Sequence, residues 1–193
     1  MKTLVFATHN KHKADEITPL LGGLYEIKAL DAIGISEDIP ENGDTLEANA
    51  RQKARYVYDR TGADVFADDT GLEVEALDGR PGVFTARYAG DECDSVKNMQ
   101  KLLSELEGKD NRRARFRTVI CLIDNGVEHL FEGVVNGTIT TSFAGTEGFG
   151  YDPIFMPDGT GRTFAEMPLN EKNKISHRAL AVEKLSEFLQ RGR

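Results

Sequence analysis

The tripeptide Asp124-Asn125-Gly126, set between two runs of strand-forming residues, constrains the fold more than any other feature of the chain. Asn-Gly flanked by alternating apolar residues specifies a tight β-hairpin. Before the turn Phe116, Thr118, Ile120 and Leu122 alternate with Arg115, Arg117, Val119 and Cys121, and after it a strand is expected from Val127 to Ile139. A hairpin pairs its strands antiparallel. The N-terminal segment reads differently: a buried strand over Thr3 to Ala7, a polar loop over Thr8 to Lys13, and Ala14, Ile17, Leu20 and Leu21 at helical spacing until Gly22-Gly23. A second strand follows over Leu24 to Leu30, so the sheet is predicted to be mixed. With 193 residues, 39% of them hydrophobic, the chain can bury a core without disulfide or metal staples. No repeat or linker divides it, and a single domain over 1–193 is expected.

The middle of the chain concentrates chemistry. Asp31 to Gly43 is a polar loop containing Glu37, Asp38, Pro40 and Glu41. Asp44-Thr45-Leu46-Glu47 reads as an N-cap with an acid three residues on, opening a helix through Arg60 that ends near Gly62. Leu46, Ala50, Ala54 and Val57 form its inward stripe, while Asn49 and Lys53, four apart, share a face that presents an amide and an ammonium. Val65 and Phe66 then run into Ala67-Asp68-Asp69-Thr70-Gly71-Leu72, read as a strand end entering a paired-carboxylate turn, with Leu72, Val74 and Ala76 alternating beyond it. Adjacent carboxylates on a rigid strand end need a cation, a lysine or water to compensate them, so a hard metal site is the functional reading. Plain turn residues before Gly71 are the alternative.

Further on, Gly79-Arg80-Pro81-Gly82 marks a turn before Val83 to Tyr88, and Val96, Met99, Leu102, Leu103 and Leu106 form the core stripe of a helix closed by Gly108. In Gly145-Thr146-Glu147-Gly148-Phe149-Gly150-Tyr151-Asp152-Pro153, glycines permit close backbone approach and the rings can stack on a planar ligand, which suits a nucleobase. The last helix follows Glu171 to Arg178, with Ser176 as its N-cap and Leu180, Leu185, Phe188 and Leu189 buried. Lys172, His177 and Arg178 near a helix N-terminus oppose the dipole, which points to a bound anion or carbonyl. The loop Thr8-His9-Asn10-Lys11-His12-Lys13 feeds another helix start and is a ready anion site, although no P-loop pattern occurs. A net charge of −8 argues against nucleic acid as a partner. Cys93 and Cys121 lack metal-ligand spacing and suit a reducing cytoplasm, and neither a signal peptide nor a membrane span is expected.

Six motifs occur in order: Thr8-x-Asn10-x-x-Lys13; Glu41-Asn42-Gly43-x-Thr45-x-x-x-Asn49-Ala50-x-x-Lys53-Ala54; Ala67 to Leu72; Pro81-Gly82-Val83-x-Thr85-Ala86-Arg87-Tyr88; Gly148 to Pro153; and Lys172-x-x-x-Ser176-His177-Arg178-x-x-Ala181. Over almost its whole length the chain resembles the inosine/xanthosine triphosphate pyrophosphatases, enzymes that remove deaminated purine nucleotides. It departs from that pattern at His12, where many relatives have Gly, at Asn42, where Thr is common, and at Thr85, where Ser is common.

The resemblance implies an α/β fold with a long mixed sheet flanked by helices, two lobes around a central nucleotide-binding cleft, and a cytoplasmic homodimer. It implies hydrolysis of ITP, dITP or XTP to the monophosphate and pyrophosphate, with Mg2+, one or more per subunit, as cofactor. By motif, Thr8, His9, Asn10, Lys11, His12, Lys13 and Lys53 would hold the triphosphate, with Thr70 also on the substrate. Glu41 and Asp69 would hold the metal, Asp69 would activate the attacking water, and Asp68 and Lys53 would complete the catalytic set. Phe149, Gly150, Tyr151 and Asp152 with Lys172, His177 and Arg178 would form the base pocket, with Arg178 or His177 donating to the 6-oxo group. Two alternatives stand beside this: a sister pyrophosphatase preferring other modified nucleotides, and a nucleotide-binding module without turnover.

Overall fold

The computed structural model describes residues 2–23 and 25–191; Leu24, expected to open the second strand, lies outside them, as do Met1, Gly192 and Arg193. The elements in chain order are β1 (Lys2–Phe6), α1 (Lys11–Leu21), β2 (Tyr25–Ala29), α2 (Leu46–Thr61), β3 (Val65–Val74), α3 (Ser95–Glu105), β4 (Arg113–Asp124), β5 (Val127–Ile139), β6 (Phe155–Pro157), α4 (Leu169–Lys172) and α5 (His177–Arg191). They build an α/β fold around a six-stranded sheet in the order β2-β1-β3-β4-β5-β6. β1 pairs parallel with both β2 and β3, and β5 pairs antiparallel with β6. Asn125 and Gly126 adopt positive φ (49° and 82°) between β4 and β5, the conformation that a two-residue hairpin requires. The sheet is therefore mixed.

The chain forms two compact units. The first comprises 1–69, 118–133 and 177–193; the second comprises 70–117 and 134–176. In the first unit α1 and α5 cover one face of the strands: Ile17, Leu21, Ala181, Val182, Leu185 and Leu189 pack with Leu4, Phe6, Phe66, Ile120 and Leu122. Phe6 and Phe66 stack with centroids 4.4 Å apart, which fixes β1 against β3. α5 comes close to β5 at Gly133, where a Cβ would strike the His177 carbonyl and the Ala181 amide, so a side chain there would displace the helix. In the second unit Met99, Leu102 and Leu106 pack with Leu72, Val74, Phe116, Ile139, Phe155 and Phe164.

Several expectations change. The helix of residues 46–61 is capped by Thr45 rather than Asp44: the Thr45 residue is extended and its hydroxyl accepts from the Ala48 amide at 3.1 Å. Asp68 and Asp69 lie inside one unbroken strand rather than in a turn, and Ala76 belongs to a 3-10 turn over Glu75–Leu77. Val96 is 49% exposed, because α3 begins at Ser95 and its first turn precedes the buried stripe. Leu180 and Phe188 are only half-buried, and Ala179, Ala181 and Val182 join Leu185 and Leu189 in facing inward.

Candidate active site

Continuity of β3 decides the geometry of the first unit. Successive strand residues point to opposite faces, so Asp68 and Asp69 do not crowd each other. Asp68 shares its face with Phe66 and meets α1 and α5: its Oδ2 lies 3.0 Å from Lys13 Nζ and 3.5 Å from Arg178 Nε. Asp69 faces α2, with its Oδ1 3.8 Å from Lys53 Nζ and its carboxylate hydrogen-bonded by the Asn49 side chain. Lys53 also donates to Glu41 Oε1 at 2.6 Å, so one ammonium is shared by Glu41 and Asp69. Far from being a solvated lysine, its side chain is 7% exposed.

The opposite surroundings set opposite acidities. Burial alone would raise Asp68, but Lys13, Arg178 and Lys53 outweigh it and hold this carboxyl well below the usual range. Burial of Asp69 outweighs the attraction of Lys53 and Lys13, and Glu41 adds repulsion, so its pKa lies above the ordinary value. Burial likewise lowers Lys13, whereas for Lys53 the carboxylates of Asp69, Glu41 and Asp68 overcome burial and raise it. Two neighbouring acids are thus tuned apart, a pattern typical of reactive sites.

The loop after β1 ends in a capped helix start. Thr8 Oγ1 accepts from the Asn10 amide at 3.0 Å, and Asn10 Oδ1 accepts from the Lys13 amide at 3.2 Å, so Asn10 is the N-cap of α1. Lys11 and His12 are exposed on the first turn, and His9 Nε2 lies 3.0 Å from the Glu37 carbonyl oxygen. The Glu41 loop is fastened to α2: Gly43 N donates to Asn49 Oδ1 at 2.7 Å and Asn42 N to Gln52 Oε1 at 2.9 Å. Asn49, expected to face a ligand beside Lys53, therefore grips this loop and Asp69. One charged residue escaped the sequence reading. Glu16 is buried on α1 and accepts from Arg178 Nη1. Its spacing three residues after Lys13 puts both on one helix face and was the available signal.

In the second unit Asp152 Oδ2 accepts from Lys172 Nζ at 2.6 Å and from the Phe149 amide at 3.0 Å. The Lys172 ammonium lies 5.1 Å from the Phe149 ring centroid and 5.4 Å from that of Phe164, within cation–π range. Gly148 has φ +70°, and a Cβ there would collide with the Asp152 carboxylate, which explains glycine at this position. Tyr151 is buried, Gly150 half-buried, and Thr70, also half-buried, follows Asp69 on β3 at the start of this unit. Lys172 thus pairs with Asp152 in this unit, while His177 and Arg178 belong to the first, where Arg178 is answered by Glu16 and Asp68.

The donor set suits a hard divalent cation. Among the described residues no three His, Cys, Asp or Glu side chains gather as a metal-holding group. Magnesium binds through one or two carboxylates, with water and substrate phosphates filling its other positions, and Glu41 and Asp69, both against Lys53, supply such a pair of oxygen donors. No helix among the described residues is long and apolar enough to cross a membrane, and Cys93 and Cys121 are both free thiols.

Known proteins resemble the whole of this chain. The sequence profile of the Ham1 family matches residues 4–188. A Porphyromonas gingivalis protein named dITP/XTP pyrophosphatase is 54% identical over 190 residues, covering 98% of this chain and 98% of its own length. A Flavobacterium psychrophilum protein of the same name is 52% identical over 187 residues, covering 97% and 98%. Among solved structures, a HAM1 protein from Coxiella burnetii matches with a TM-score of 0.92 at 39% identity, covering 99% of this chain and 100% of that one.

Proposed function

The chain belongs to the Ham1 family, and from that premise we propose that it hydrolyses deaminated purine nucleoside triphosphates, dITP, ITP and XTP, to the monophosphate and pyrophosphate. The observation that carries the reading is the pair of adjacent carboxylates, Asp68 and Asp69, each met by a lysine from a different helix and driven to opposite acidities.

In this reading the capped start of α1, with Thr8, His9, Asn10, Lys11, His12 and Lys13, holds the triphosphate through the positive end of the helix dipole and positive charge, and Lys53 adds a second ammonium. Thr70 contributes a hydroxyl to the substrate. Asp69, whose burial makes it a stronger base than a solvated carboxylate, takes a proton from water as the water oxygen attacks the α-phosphorus. The bond from the α-phosphorus to the bridging oxygen breaks, and pyrophosphate leaves with charge that Lys13 and Lys53 offset. Asp68 keeps Lys13 and Arg178 in place. Magnesium held by Glu41 and Asp69 would supply positive charge to the phosphate oxygens and help acidify the water.

Phe149 to Asp152 with Lys172 receive the base, and His177 or Arg178 donates to its 6-oxo group. An adenine 6-amino group would set donor against donor, a mismatch worth on the order of 10⁴-fold at sites built around a hydrogen bond. A cytoplasmic homodimer belongs to the same reading, and sedimentation of the purified chain tests the dimer.

The deciding experiment incubates the protein with ITP and magnesium and resolves the products, beside ATP, GTP and an Asp69→Asn control. IMP and pyrophosphate, absent with the control and weak with ATP and GTP, are the expected result. IDP and phosphate would reassign the bond, a preference for another modified nucleotide would favour the sister enzyme, and binding without turnover would leave a nucleotide-binding module. An Arg178→Ala enzyme that kept its full ITP-over-ATP preference would remove Arg178 from base selection.

A further inference from the structure

The segment Pro81 to Tyr88 holds none of the residues assigned above to phosphate, water or base, yet its backbone and one side chain tie two parts of the second unit together. Residues Gly82–Arg87 form a 3-10 helix. Within it Thr85 Oγ1 donates to the Gly82 carbonyl at 2.5 Å and accepts from the Leu72 amide of β3 at 2.9 Å. The Thr85 carbonyl in turn accepts from the Tyr151 hydroxyl at 2.7 Å. Tyr151 is 3% exposed and caps the short turn Asp152–Ile154, where the Ile154 amide donates back to the Tyr151 carbonyl at 3.0 Å. Its neighbour Asp152 holds both Lys172 and the Phe149 amide. A single hydroxyl therefore joins β3 to a turn whose carbonyl anchors the tyrosine preceding Asp152.

We propose that Thr85 is a positioning residue for base recognition: through Leu72 and Gly82 it fixes the carbonyl to which Tyr151 is tethered, and through Tyr151 it sets the Phe149, Asp152 and Lys172 constellation. The proposal rests on the assignment of that constellation to the base. Thr85 acts without touching substrate. Losing its hydroxyl strips a partner from the Leu72 amide and releases the turn, and the carbonyl that Tyr151 addresses shifts with it. Burial pushes the Tyr151 phenol upward, so it remains a neutral donor throughout the working pH range. Small displacements of groups that orient a substrate are expensive in rate, and base-side displacement enters KM and base selectivity before it enters the chemical step.

The test compares Thr85→Val, which keeps the shape and removes the hydroxyl, with Thr85→Ser, which keeps the hydroxyl, and with Tyr151→Phe. Thr85→Val is expected to raise KM for ITP about tenfold, with the loss concentrated in KM and in ITP-over-ATP preference. Thr85→Ser is expected to restore both. Tyr151→Phe should reproduce the KM change, and the Thr85→Val/Tyr151→Phe double variant should be no worse than the more impaired single variant, because both break one tether. Independent, multiplying effects would overturn the proposal, as would a Thr85→Val enzyme impaired only in kcat or a Thr85→Ser enzyme as impaired as the valine variant. If Thr85→Val fails to fold, the serine variant and Tyr151→Phe still decide it: normal KM in Tyr151→Phe rejects the tether. An Asp152→Asn enzyme with unaltered base preference would instead reject the base assignment, a failure distinct from loss of coupling between Thr85 and Tyr151.

Discussion

In the first unit the buried charges form an open ladder running from Glu16 through Arg178 and Asp68 to Lys13, with Asp69, Lys53 and Glu41 beside it, whereas in the second unit Asp152 and Lys172 meet in one tight pair over two aromatic rings. The ladder shares its ions: Lys53 serves two acids, and Asp68 faces two cations. Glu41 is 40% exposed where its partner Lys53 is buried, so an arriving polyanion can take over the lysine while Glu41 turns to another cation. The pair in the second unit is 2% and 4% exposed and also grips the Phe149 amide, which freezes a loop shape. Sharing suits a site whose charge changes during a reaction, and a tight pair suits one that recognises shape.

The sharpest way to break that contrast is kinetic. Asp69→Asn removes the proposed base and is expected to lower kcat for ITP about a thousandfold, with KM little changed. Asp152→Asn should instead act on KM and base preference. Single-turnover and steady-state pyrophosphate release separate the two, and a collapse of kcat in Asp152→Asn as deep as in Asp69→Asn would end the division of labour.

Stability tests the same contrast from another side. Lys172→Met leaves a deeply buried carboxylate without the ammonium that faces it and is expected to cost about 3–5 kcal/mol. In Lys13→Met the Arg178 guanidinium still faces Asp68 at 3.5 Å, so a smaller loss, about 1–2 kcal/mol, is expected. Urea unfolding of both variants measures the difference. Equal losses would mean that the ladder does not share its load.

Much of this arrangement was legible in the sequence, and the parts that were not share a cause. The Asn125-Gly126 hairpin and the inward stripe of Leu46, Ala50, Ala54 and Val57 are local patterns, and each appears where its pattern predicts. Asp68-Asp69 before Gly71 favours a turn locally, but Lys13, Lys53 and Arg178, distant in sequence, make both strand faces hospitable to a carboxylate, and tertiary context overrides propensity. Lys172 and Arg178, close in sequence, read as one cation cluster; the chain passes from the second unit to the first at His177, and each finds a different acid. Glu16 stayed hidden because a glutamate near a helix start looks solvated until its arginine is known.

A finer distinction lies inside the ladder, between the two adjacent acids. The folded pKa of Asp68 is depressed, so its ionised form contributes stability that is complete above the unfolded value of about 3.9 and is lost as pH falls below it. The folded pKa of Asp69 is raised, so its contribution is present only at low pH and turns into a cost as pH rises through the folded value. Asp68→Asn is therefore expected to lower the melting temperature at pH 7, with the deficit shrinking below about pH 4. Asp69→Asn should raise the melting temperature at pH 7 while slowing turnover as above, and should leave the melting temperature unchanged near pH 3. Melting curves across that range decide it. An Asp69→Asn protein less stable than wild type at pH 7 would show that Lys53 and Asn49 stabilise the carboxylate more than burial penalises it.

The smallest effect uses the two thiols as local reporters. Cys121 sits in the part of β4 belonging to the first unit, fully buried, and burial pushes its thiol up to about 12. Cys93 is exposed in the second unit. At pH 8 an alkylating reagent should therefore label Cys93 promptly and reach Cys121 only through opening of the first unit, because the thiolate is the nucleophile. Asp68→Asn, which weakens the ladder, is expected to speed Cys121 labelling several-fold while Cys93 labelling stays constant, as mass spectrometry of the two peptides would record. Equal acceleration at Cys121 from Lys172→Met would mean that the two charge clusters are held by one cooperative structure, and that their different designs serve the chemistry alone and not separate local stabilities.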